Sequence, residues 1–486
     1  MHYLRELSLR LRDAGSHEDA GAICADGGID YVDVRFADLT GRWHHVTLPA
    51  ARVGRKLFED GVGFDGSSVP GFKTVEQGDM VALSDPATAV VEESGPYLLV
   101  SYLASAAEAD TRELFALDPR VIARRAASAL ASSGHADLAL FGPELEFYLF
   151  SSVDYGSSPS GAFYDLGSDE VGWTDVDEPT SGHRIRPGAG YHAMPPCDRT
   201  FEVRNEIVSR MVNAGVPVKY HHHENGAPGQ VEVELMSRPL VEAADDCMMG
   251  KHIAKMTAIE WGLSATFMPK PVLGESGSGL HFHIRLEKGG RPVFHDESGY
   301  AGLSDVALHF IGGILEHGAA LTAVTNPSTN SFRRLRPGFE APTNRVFSAA
   351  NRSAAIRIPK YTTEPDAKTV EYRPSDATAN PYLAIAALIA AGIDGMERRI
   401  DPRERGFGPL EKNIHTLSEE ERRTIPGLPL TLHEALEALE SDGDFLSDSG
   451  IFPADFVSVW TRLKWREVDA IRSAPHPGEF ELSFDC

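Results

Sequence analysis

The sequence predicts a two-domain protein built from both strands and helices. The chain has 486 residues, more than the roughly 250 to 300 that one hydrophobic core usually serves. Short runs of alternating polar and apolar residues, separated by Gly and Asp turns, fill the first ~105 residues and are typical of a small β-rich domain. A helical pattern begins after Asp118 and Pro119. We therefore place a first domain at residues 1–115 and a second at residues 116–486.

The predicted elements follow in chain order. Residues 29–36 and 43–48 alternate polar and apolar side chains and predict strands, and residues 121–132 have helical spacing. Residues 151–190 are dense in Gly, Ser, Asp and Pro and lack sustained periodicity, which predicts a long surface excursion and not a second linker. An Ala-rich helix is expected over residues 380–393, because it opens with Asn-Pro, a favoured cap and first-turn pair.

Charge and cysteine usage narrow the function classes. Acidic residues outnumber basic ones 71 to 46, for a formal net charge of −25. This balance argues against a nucleic-acid partner and would repel a polyphosphate unless divalent cations bridge it. The 4 cysteines are scattered without a CxxC spacing, so we expect no zinc knuckle or disulfide framework, and a reducing cytoplasm. No stretch approaches the roughly 18 apolar residues of a membrane helix, so no membrane partner is expected.

Polar side chains recur at every second position within apolar stretches at residues 141–147, 230–234, 280–284 and 370–373. Side chains at i and i+2 of a strand point the same way, so each stretch offers a polar pair to one surface. Burying an ionised carboxylate without a partner costs several kcal/mol. One such glutamate could form a surface ion pair instead, but several in period-2 pairs favour a metal site.

Longer motifs accompany these pairs and carry a resemblance. They lie at residues 64–68, 221–230, 270–279, 330–342, 351–359 and 476–482. With these motifs in this order, the chain closely resembles the type I glutamine synthetases nearly end to end. The resemblance implies an α+β fold with a small N-terminal β-grasp-like domain. It also implies a large catalytic domain whose curved antiparallel sheet forms a metal-binding funnel.

Two metal sites in that funnel are implied by the resemblance. One ion would be held by Glu146, Glu224 and Glu232, and the second by Glu144, His281 and Glu371. Carboxylate oxygens with one imidazole and no thiolate suit Mg²⁺ or Mn²⁺ better than zinc or copper. Such a pair of ions can bridge the phosphates of ATP, the expected co-substrate, and neutralise charge on the transferred group.

Arginines in the motifs resemble the family's substrate-binding residues. A planar guanidinium binds carboxylate or phosphate oxygens through two parallel bonds. By the resemblance, Arg334 would hold the substrate α-carboxylate and Arg373 its side-chain carboxylate. Arg352 and Arg357 would contact the phosphoryl group during transfer, although Arg357 could instead form a structural ion pair.

The remaining binding positions also follow from the resemblance. Ser276 and Gly277 would line the glutamate site, and His283, Arg352 and Lys368 would contact the nucleotide. The Gly277-Ser278-Gly279 run is not a phosphate-cradling loop, because it lacks the Gly-Lys-Ser/Thr pattern and leads into a strand. For residues 221–223, a loop-like histidine run, packing and hydrogen bonding are expected rather than metal binding.

Ammonia capture in this family uses an aspartate from a neighbouring subunit, here Asp65. It would act with Ser68, Tyr191, Glu224 and Glu340. Carboxylates and a phenol concentrate ammonium, and one carboxylate removes its proton so that neutral ammonia can attack. Residues 337–342 would close over the intermediate and exclude water. The family assembles as two stacked hexameric rings with active sites between subunits, so a homododecamer is expected.

Several positions depart from the family pattern. Ser276 stands where an asparagine often helps to orient glutamate. On the nucleotide side the departures are Lys219, Arg285, Asp366 and Thr369, and either Lys368 or Arg285 could supply missing positive charge. His415 occupies the position of the adenylylated tyrosine, so regulation by that modification is not expected.

The function expected from the resemblance is ATP-dependent ligation of ammonia to the γ-carboxylate of L-glutamate through γ-glutamyl phosphate. The products would be glutamine, ADP and phosphate. One alternative is a γ-glutamyl ligase for a larger amine, such as a polyamine, ethanolamine or an aryl amine, which the Ser276 departure favours. Another is a non-catalytic scaffold or nitrogen-status binding protein, against which the intact ligand set argues.

Overall fold

The computed structural model describes residues 2–173, 182–336, 341–362, 364–412, 418, 420 and 424–485. Its first part is a six-stranded sheet with strand order β2-β1-β6-β4-β3, to which β5 adds by pairing with β6. The strands β1 and β6 are parallel and the other pairs are antiparallel. The strands are β1 Tyr31–Ala37, β2 Trp43–Pro49, β3 Val62–Asp65, β4 Asp79–Ser84, β5 Val90–Ser94 and β6 Tyr97–Glu108; the helices are α1 His2–Arg12, α2 His17–Asp26 and α3 Arg55–Glu59.

A ten-stranded sheet forms the framework of the second part. Its main order is β10-β11-β7-β14-β18-β17-β16, with β12 and β13 pairing with β7 and β15 with β14. The strands of this part are β7 Leu138–Phe150, β8 Ser152–Ser158, β9 Gly161–Gly167, β10 Val218–His223, β11 Gln230–Leu235, β12 Arg238–Pro239, β13 Ser264–Thr266, β14 Leu280–Lys288, β15 Arg291–Pro292, β16 Asn344–Ala349, β17 Ala354–Ile358 and β18 Val370–Tyr372. The expected antiparallel sheet needs one correction, because β16 and β17 are parallel.

Helices cover this sheet around a continuous hydrophobic core. The central one, α10 Pro381–Arg398, is buried from Pro381 through Ile393 and packs against α7 and α4. The other helices are α4 Pro119–Ser133, α5 Phe201–Ala214, α6 Leu240–Glu260, α7 Asp305–Glu316, α8 Gly318–Thr325, α9 Ser331–Arg334, α11 Leu432–Asp442, α12 Asp444–Asp448, α13 Phe456–Arg472 and α14 Pro477–Ser483. Among the described residues, no single helix is long and apolar enough to span a membrane; α7 and α8 pass only when taken together, across a bend of 74°.

Two predicted helices are confirmed, each with its cap. The Asp118 side chain accepts a hydrogen bond from the amide of Val121 at the start of α4. The Asn380 side chain accepts from the amide of Tyr382, and its Nδ2 donates to the carbonyl of Asp38, 2.9 Å away. That second bond ties the core helix to the first sheet. The division at residues 115 and 116, which falls between β6 and α4, stays a prediction.

Regular strands lie in two segments where the sequence showed no clear strand periodicity. Residues 151–190 contain a surface-exposed hairpin, β8 and β9, whose Gly and Ser content hid its alternation. Residues 218–223 form the edge strand β10 and not a loop, because Tyr220 to His223 pair with β11 in regular antiparallel register. The helices α1 and α2 were also not anticipated within the strand-rich first region.

A buried histidine joins the helical layer at the α7–α8 junction. His317 Nε2 lies 2.8 Å from Asp394 Oδ2, and its Nδ1 lies 3.0 Å from Asp442 Oδ2. The ring also stacks on Phe445 at a centroid distance of 4.1 Å. Burial alone would lower the pKa of His317, but the hydrogen bonds and charges of the two aspartates raise it to about 9.

We expect His317→Gln to reduce the free energy of unfolding by about 1–3 kcal/mol near pH 6. Because the folded pKa lies above the unfolded value of about 6.5, this stabilisation is complete below pH ~6.5 and is lost as the pH rises through about 9. Denaturant unfolding of both proteins at pH 6 and at pH 9.5 measures the difference. A difference that stays constant or grows with pH would contradict the assignment.

Candidate active site

Strand register brings the polar pairs onto one face of the large sheet. The strands β11, β7, β14 and β18 are consecutive neighbours in this sheet. Across them the register places Glu232 opposite Glu146, Glu234 opposite Glu144, His281 opposite Glu144, and His283 opposite Glu371. Positions separated by long stretches of chain therefore meet within a few ångströms.

A cavity of about 220 Å³ opens on this face. It is lined by most of the residues that the sequence predicts for the site: Glu144, Glu146, Tyr191, Glu224, Glu232, Ser276, Gly277, His281, Arg334, Arg352, Arg357, Glu371 and Arg373. All six predicted metal ligands and all four predicted substrate arginines are among them. The structure thus brings the two groups into a single cavity.

The second predicted ligand set is compact and buried. One ligand atom each from Glu144, His281 and Glu371 lies within 4.8 Å of the others. Two buried carboxylates and an imidazole at this spacing match the ligand chemistry of a hard divalent cation. Burial would raise the pKa of Glu371, but Arg373 and the nearby histidines lower it to about 2. The lowered pKa favours the ionised carboxylate, which is the form that binds a cation.

The first predicted set is crowded with negative charge. Glu146, Glu224 and Glu232 face the same cavity, and Glu146 Oε2 accepts a hydrogen bond from the Gly279 amide at 2.7 Å. Burial, followed by the charges of Glu146 and Glu232, raises the pKa of Glu224 to about 8. Burial and the charges of neighbouring glutamates likewise raise the pKa of Glu232 well above its usual value. A divalent cation would relieve this repulsion, so the donor set fits such an ion.

Four arginines line the same cavity as the carboxylates. Arg357 and Arg373 both contact Glu371, and Arg373 Nε also donates to the carbonyl of Arg352 at 3.2 Å. Arg334 is held more rigidly, with Nη1 donating to the carbonyl of Pro374 at 2.7 Å. For Arg357 the structure contains both features that we considered, an ion pair and a position in the cavity wall.

Four predicted residues do not line the cavity within this chain. Asp65 and Ser68 are exposed around the turn that follows β3, where Ser68 Oγ donates to Asp65 Oδ2 at 2.7 Å. His283 is buried beside the ligand set, with Nε2 2.8 Å from Glu144 Oε1. Lys368 Nζ donates to the carbonyl of Ala301 at 3.0 Å. Glu340 lies outside the described residues.

The positions that depart from the family pattern have local partners. Lys219 Nζ lies 2.6 Å from Glu234 Oε1 and so compensates that buried carboxylate. Arg285 contacts the backbone carbonyl of Asp366, and Thr369 Oγ1 lies 3.4 Å from His283 Nδ1. The Ser276 hydroxyl accepts a hydrogen bond from Asn225 Nδ2 at 2.6 Å. The adenylylation position, His415, lies outside the described residues.

Several lining residues were not predicted, namely Tyr220, His222, Asn225, Gln230, Ala341 and Tyr361. A signal existed for two of them, because Tyr220 and His222 stand two residues apart on β10 and share a face. Packing explains His221 and His223 as expected, since His223 is fully buried and hydrogen-bonded. His222 differs from them by facing the cavity, with Nε2 3.4 Å from Glu232 Oε1.

Comparison with known proteins agrees with this geometry. Residues 28–101 match the family model described as "Glutamine synthetase, beta-Grasp domain", and residues 116–483 match "Glutamine synthetase, catalytic domain". The chain belongs to the glutamine synthetase family. A glutamine synthetase of Mycolicibacterium smegmatis is 42% identical over 96% of this chain and 98% of its own length. The expected β-grasp and catalytic-domain fold is confirmed.

Solved structures give the same fold. A Plasmodium falciparum glutamine synthetase aligns with a TM-score of 0.85 at 24% identity, covering 94% of this chain and 96% of that one. A structure titled "Apo GmaS without ligand" aligns with a TM-score of 0.78 at 28% identity, covering 96% of this chain and 99% of that one.

Replacing Glu146 with glutamine should weaken Mn²⁺ binding at one of the two expected sites by at least about tenfold, because the site loses a negative ligand. Turnover should be abolished while the fold and assembly persist. Titration of free Mn²⁺ by electron paramagnetic resonance measures the binding. The matched control is Glu437→Gln on the exposed surface of α11, which should bind as the unmodified protein does. Unchanged Mn²⁺ binding in the Glu146 variant would remove its ligand role.

Proposed function

We propose that this protein is a glutamate–ammonia ligase that forms L-glutamine, ADP and phosphate from L-glutamate, ammonia and ATP. The single observation that carries the proposal is the meeting of six potential metal ligands and four arginines around one cavity in a glutamine synthetase fold. Such a cavity suits the binding of a polyphosphate and an amino acid side by side, because cations and guanidiniums together offset their negative charge.

In the first step, a γ-carboxylate oxygen of glutamate attacks the γ-phosphorus of ATP, and the bond to the ADP oxygen breaks. Arg334 is buried with a fixed guanidinium and would bind the α-carboxylate. Arg373 would bind the γ-carboxylate, and Arg352 and Arg357 would contact the transferred phosphoryl group. Bound Mg²⁺ or Mn²⁺ would supply charge neutralisation on the phosphates.

In the second step, ammonia attacks the acyl carbon of γ-glutamyl phosphate, and phosphate leaves. Glu224 and Tyr191 line the cavity and would bind ammonium on one side. A carboxylate must then take one proton, so that a neutral nucleophile remains. Asp65 of the partner subunit would complete this site together with Ser68 of the partner subunit, and Glu340 would close it.

We extend the proposal to a dodecamer of two stacked hexameric rings that works in the cytoplasm. Asp65 and Ser68 support shared active sites, because both are exposed in the single chain and neither lines its cavity. Hydrogen bonds from Ser67 and Ser68 lower the pKa of Asp65, which keeps its carboxylate ionised. An exposed, ionised and ordered aspartate is suited to complete a neighbouring ammonium site.

The alternative of a larger amine substrate rests on Ser276, which lacks the amide often found at that position in the family. Here the Asn225 side chain lies in the same cavity and donates to the Ser276 hydroxyl at 2.6 Å. An amide is therefore present beside Ser276, from another residue. This arrangement favours glutamate as the acceptor, so the Ser276 departure gives no reason to prefer a larger amine.

Phosphate release should depend on glutamate, ATP, a divalent cation and ammonium together. We expect ammonium to give a kcat/KM at least about tenfold above methylamine, ethanolamine, a polyamine and an aryl amine, because the carboxylate of Glu224 and the phenol of Tyr191, which line the cavity, suit a small ammonium ion and would pair less well with a substituted amine. A coupled assay of phosphate release measures the turnover rate with each amine, and mass spectrometry identifies glutamine as the product. If a larger amine succeeds where ammonium fails, the substrate assignment is wrong.

Subunit mixing tests the shared site. Asp65→Asn and Glu146→Gln should each be nearly inactive as pure oligomers, since each removes one half of every site. After the two are dissociated and co-assembled in equal amounts, about a quarter of the sites should carry both original residues and regain activity. Mixing without dissociation is the control and should give no recovery. No recovery in verified mixed oligomers would place Asp65 and Glu146 outside a shared site.

A further inference from the structure

Next to the cavity, the side chain of His223 is hydrogen-bonded to the backbone of Glu224, a predicted metal ligand. Its ring is fully buried at the end of β10 and does not line the cavity. His223 Nδ1 lies 2.6 Å from the carbonyl oxygen of Glu224, and because a carbonyl only accepts, Nδ1 donates this bond. His223 Nε2 lies 2.9 Å from Glu170 Oε2. Both ring nitrogens are therefore committed, one of them to Glu224 itself.

Glu170 is in turn fixed from several directions. It is 2% exposed, and its second oxygen accepts the Arg199 amide at 2.7 Å. Its own carbonyl accepts the Ile185 amide at 2.9 Å. The Glu170 carboxylate therefore cannot follow His223 if the ring moves, and the pair forms a rigid support.

The same support reaches Tyr191. The Gly190 amide donates to the carbonyl of Asn225 at 3.1 Å, and the His192 amide donates to the carbonyl of His223 at 3.0 Å. A Cβ on Gly190 would lie 2.4 Å from the Glu224 carbonyl oxygen and 2.7 Å from His223 Cε1. Only glycine permits this approach, so the backbone on both sides of Tyr191 is clamped onto the residues that flank Glu224.

We propose that Glu170 and His223 are positioning residues that set the place of Glu224 and Tyr191 and thereby shape the ammonium site and one metal site. This inference rests on the proposed function. Neither residue touches substrate. Each acts through the Glu224 carbonyl and the Gly190 clamp, as outer partners commonly fix metal ligands.

A metal ion at Glu170, Asp198 and His223 is the competing interpretation, since these three groups also lie within 4.8 Å of one another. Their donors are already saturated. Asp198 Oδ1 accepts the Thr200 amide and hydroxyl, and its other oxygen pairs with the Arg204 guanidinium. None of the three residues lines the cavity that holds the predicted ligand sets, so we interpret the cluster as a hydrogen-bonded support and not as a metal centre.

Two amide substitutions separate the two bonds of His223. In His223→Asn the amide nitrogen stands near the former Nδ1 and can still donate to the Glu224 carbonyl. In His223→Gln it stands near the former Nε2 and can donate only to Glu170. We expect His223→Gln to raise the KM for ammonium and the Kd for Mn²⁺ by about tenfold or more, and His223→Asn to change them by less than about threefold. The KM for ATP should change little in either variant.

The matched control is His317→Gln, which removes a buried histidine between two carboxylates that do not line the cavity and should lower stability without raising either constant. Should neither His223 variant fold, Glu170→Gln, which removes the charge and replaces one of the two accepting oxygens with an NH2 donor, takes their place with the same expected direction. Equal effects of the Asn and Gln variants, or an unchanged ammonium KM and Mn²⁺ Kd in folded oligomers, would overturn the proposal. If the unmodified protein fails to use ammonium, the proposed function falls, and the Mn²⁺ constants alone decide the role of the support.

Discussion

The uneven charge of the cavity is the constraint on which the site depends. On the β14 and β18 side, histidines and arginines compensate the carboxylates, so Glu144 and Glu371 have lowered pKa values. On the β10 and β11 side, burial and the negative charges of neighbouring glutamates outweigh any positive partner of Glu224 and Glu232, so the pKa values of both are raised. Buried carboxylates in this state bind protons or cations. The folded chain therefore favours binding of divalent cations in the cavity. Bound cations would reduce the repulsion between a polyphosphate and a chain with a net charge of −25.

Part of the site could be predicted because strand geometry is local. Because side chains at i and i+2 of a strand point the same way, Glu144 and Glu146 share a face regardless of which strand lies beside them. Which strands are neighbours is not local information, and the meeting of Glu146 with Glu232 depends on a register between strands far apart in sequence. The resemblance to the family supplied that step, and the residues themselves did not. Tyr220 and His222 were missed because an unbroken histidine run obscures the alternation that places both in the cavity wall.

The secondary structure shows the same contrast between features specified by neighbouring residues and features that depend on distant strands. The helices α4 and α10 could be predicted from their Asp-Pro and Asn-Pro caps, because the hydrogen bonds of these caps involve only neighbouring residues. The hairpin of β8 and β9 is exposed on both faces, so no buried stripe marks its register. The short sequences of β16 and β17 likewise do not determine that these two strands pair, or that they pair in parallel. Apart from α1 and α2, which local patterns could have indicated, the elements that were missed depend on pairing between strands.

Rigid attachment of the first domain follows from the same core that carries the site. Asn380 caps α10 and at the same time donates to the carbonyl of Asp38, which follows β1 in the sheet whose strand β3 ends at Asp65. Arg12 adds a second tie, because its guanidinium donates to the carbonyls of Ala89 and Ala214, one in each domain. A carboxylate offered to a neighbouring subunit is useful only if its position is reproducible. In the proposed assembly, the contacts that hold the first sheet against the core of one subunit would therefore also fix the carboxylate that this subunit offers to the next.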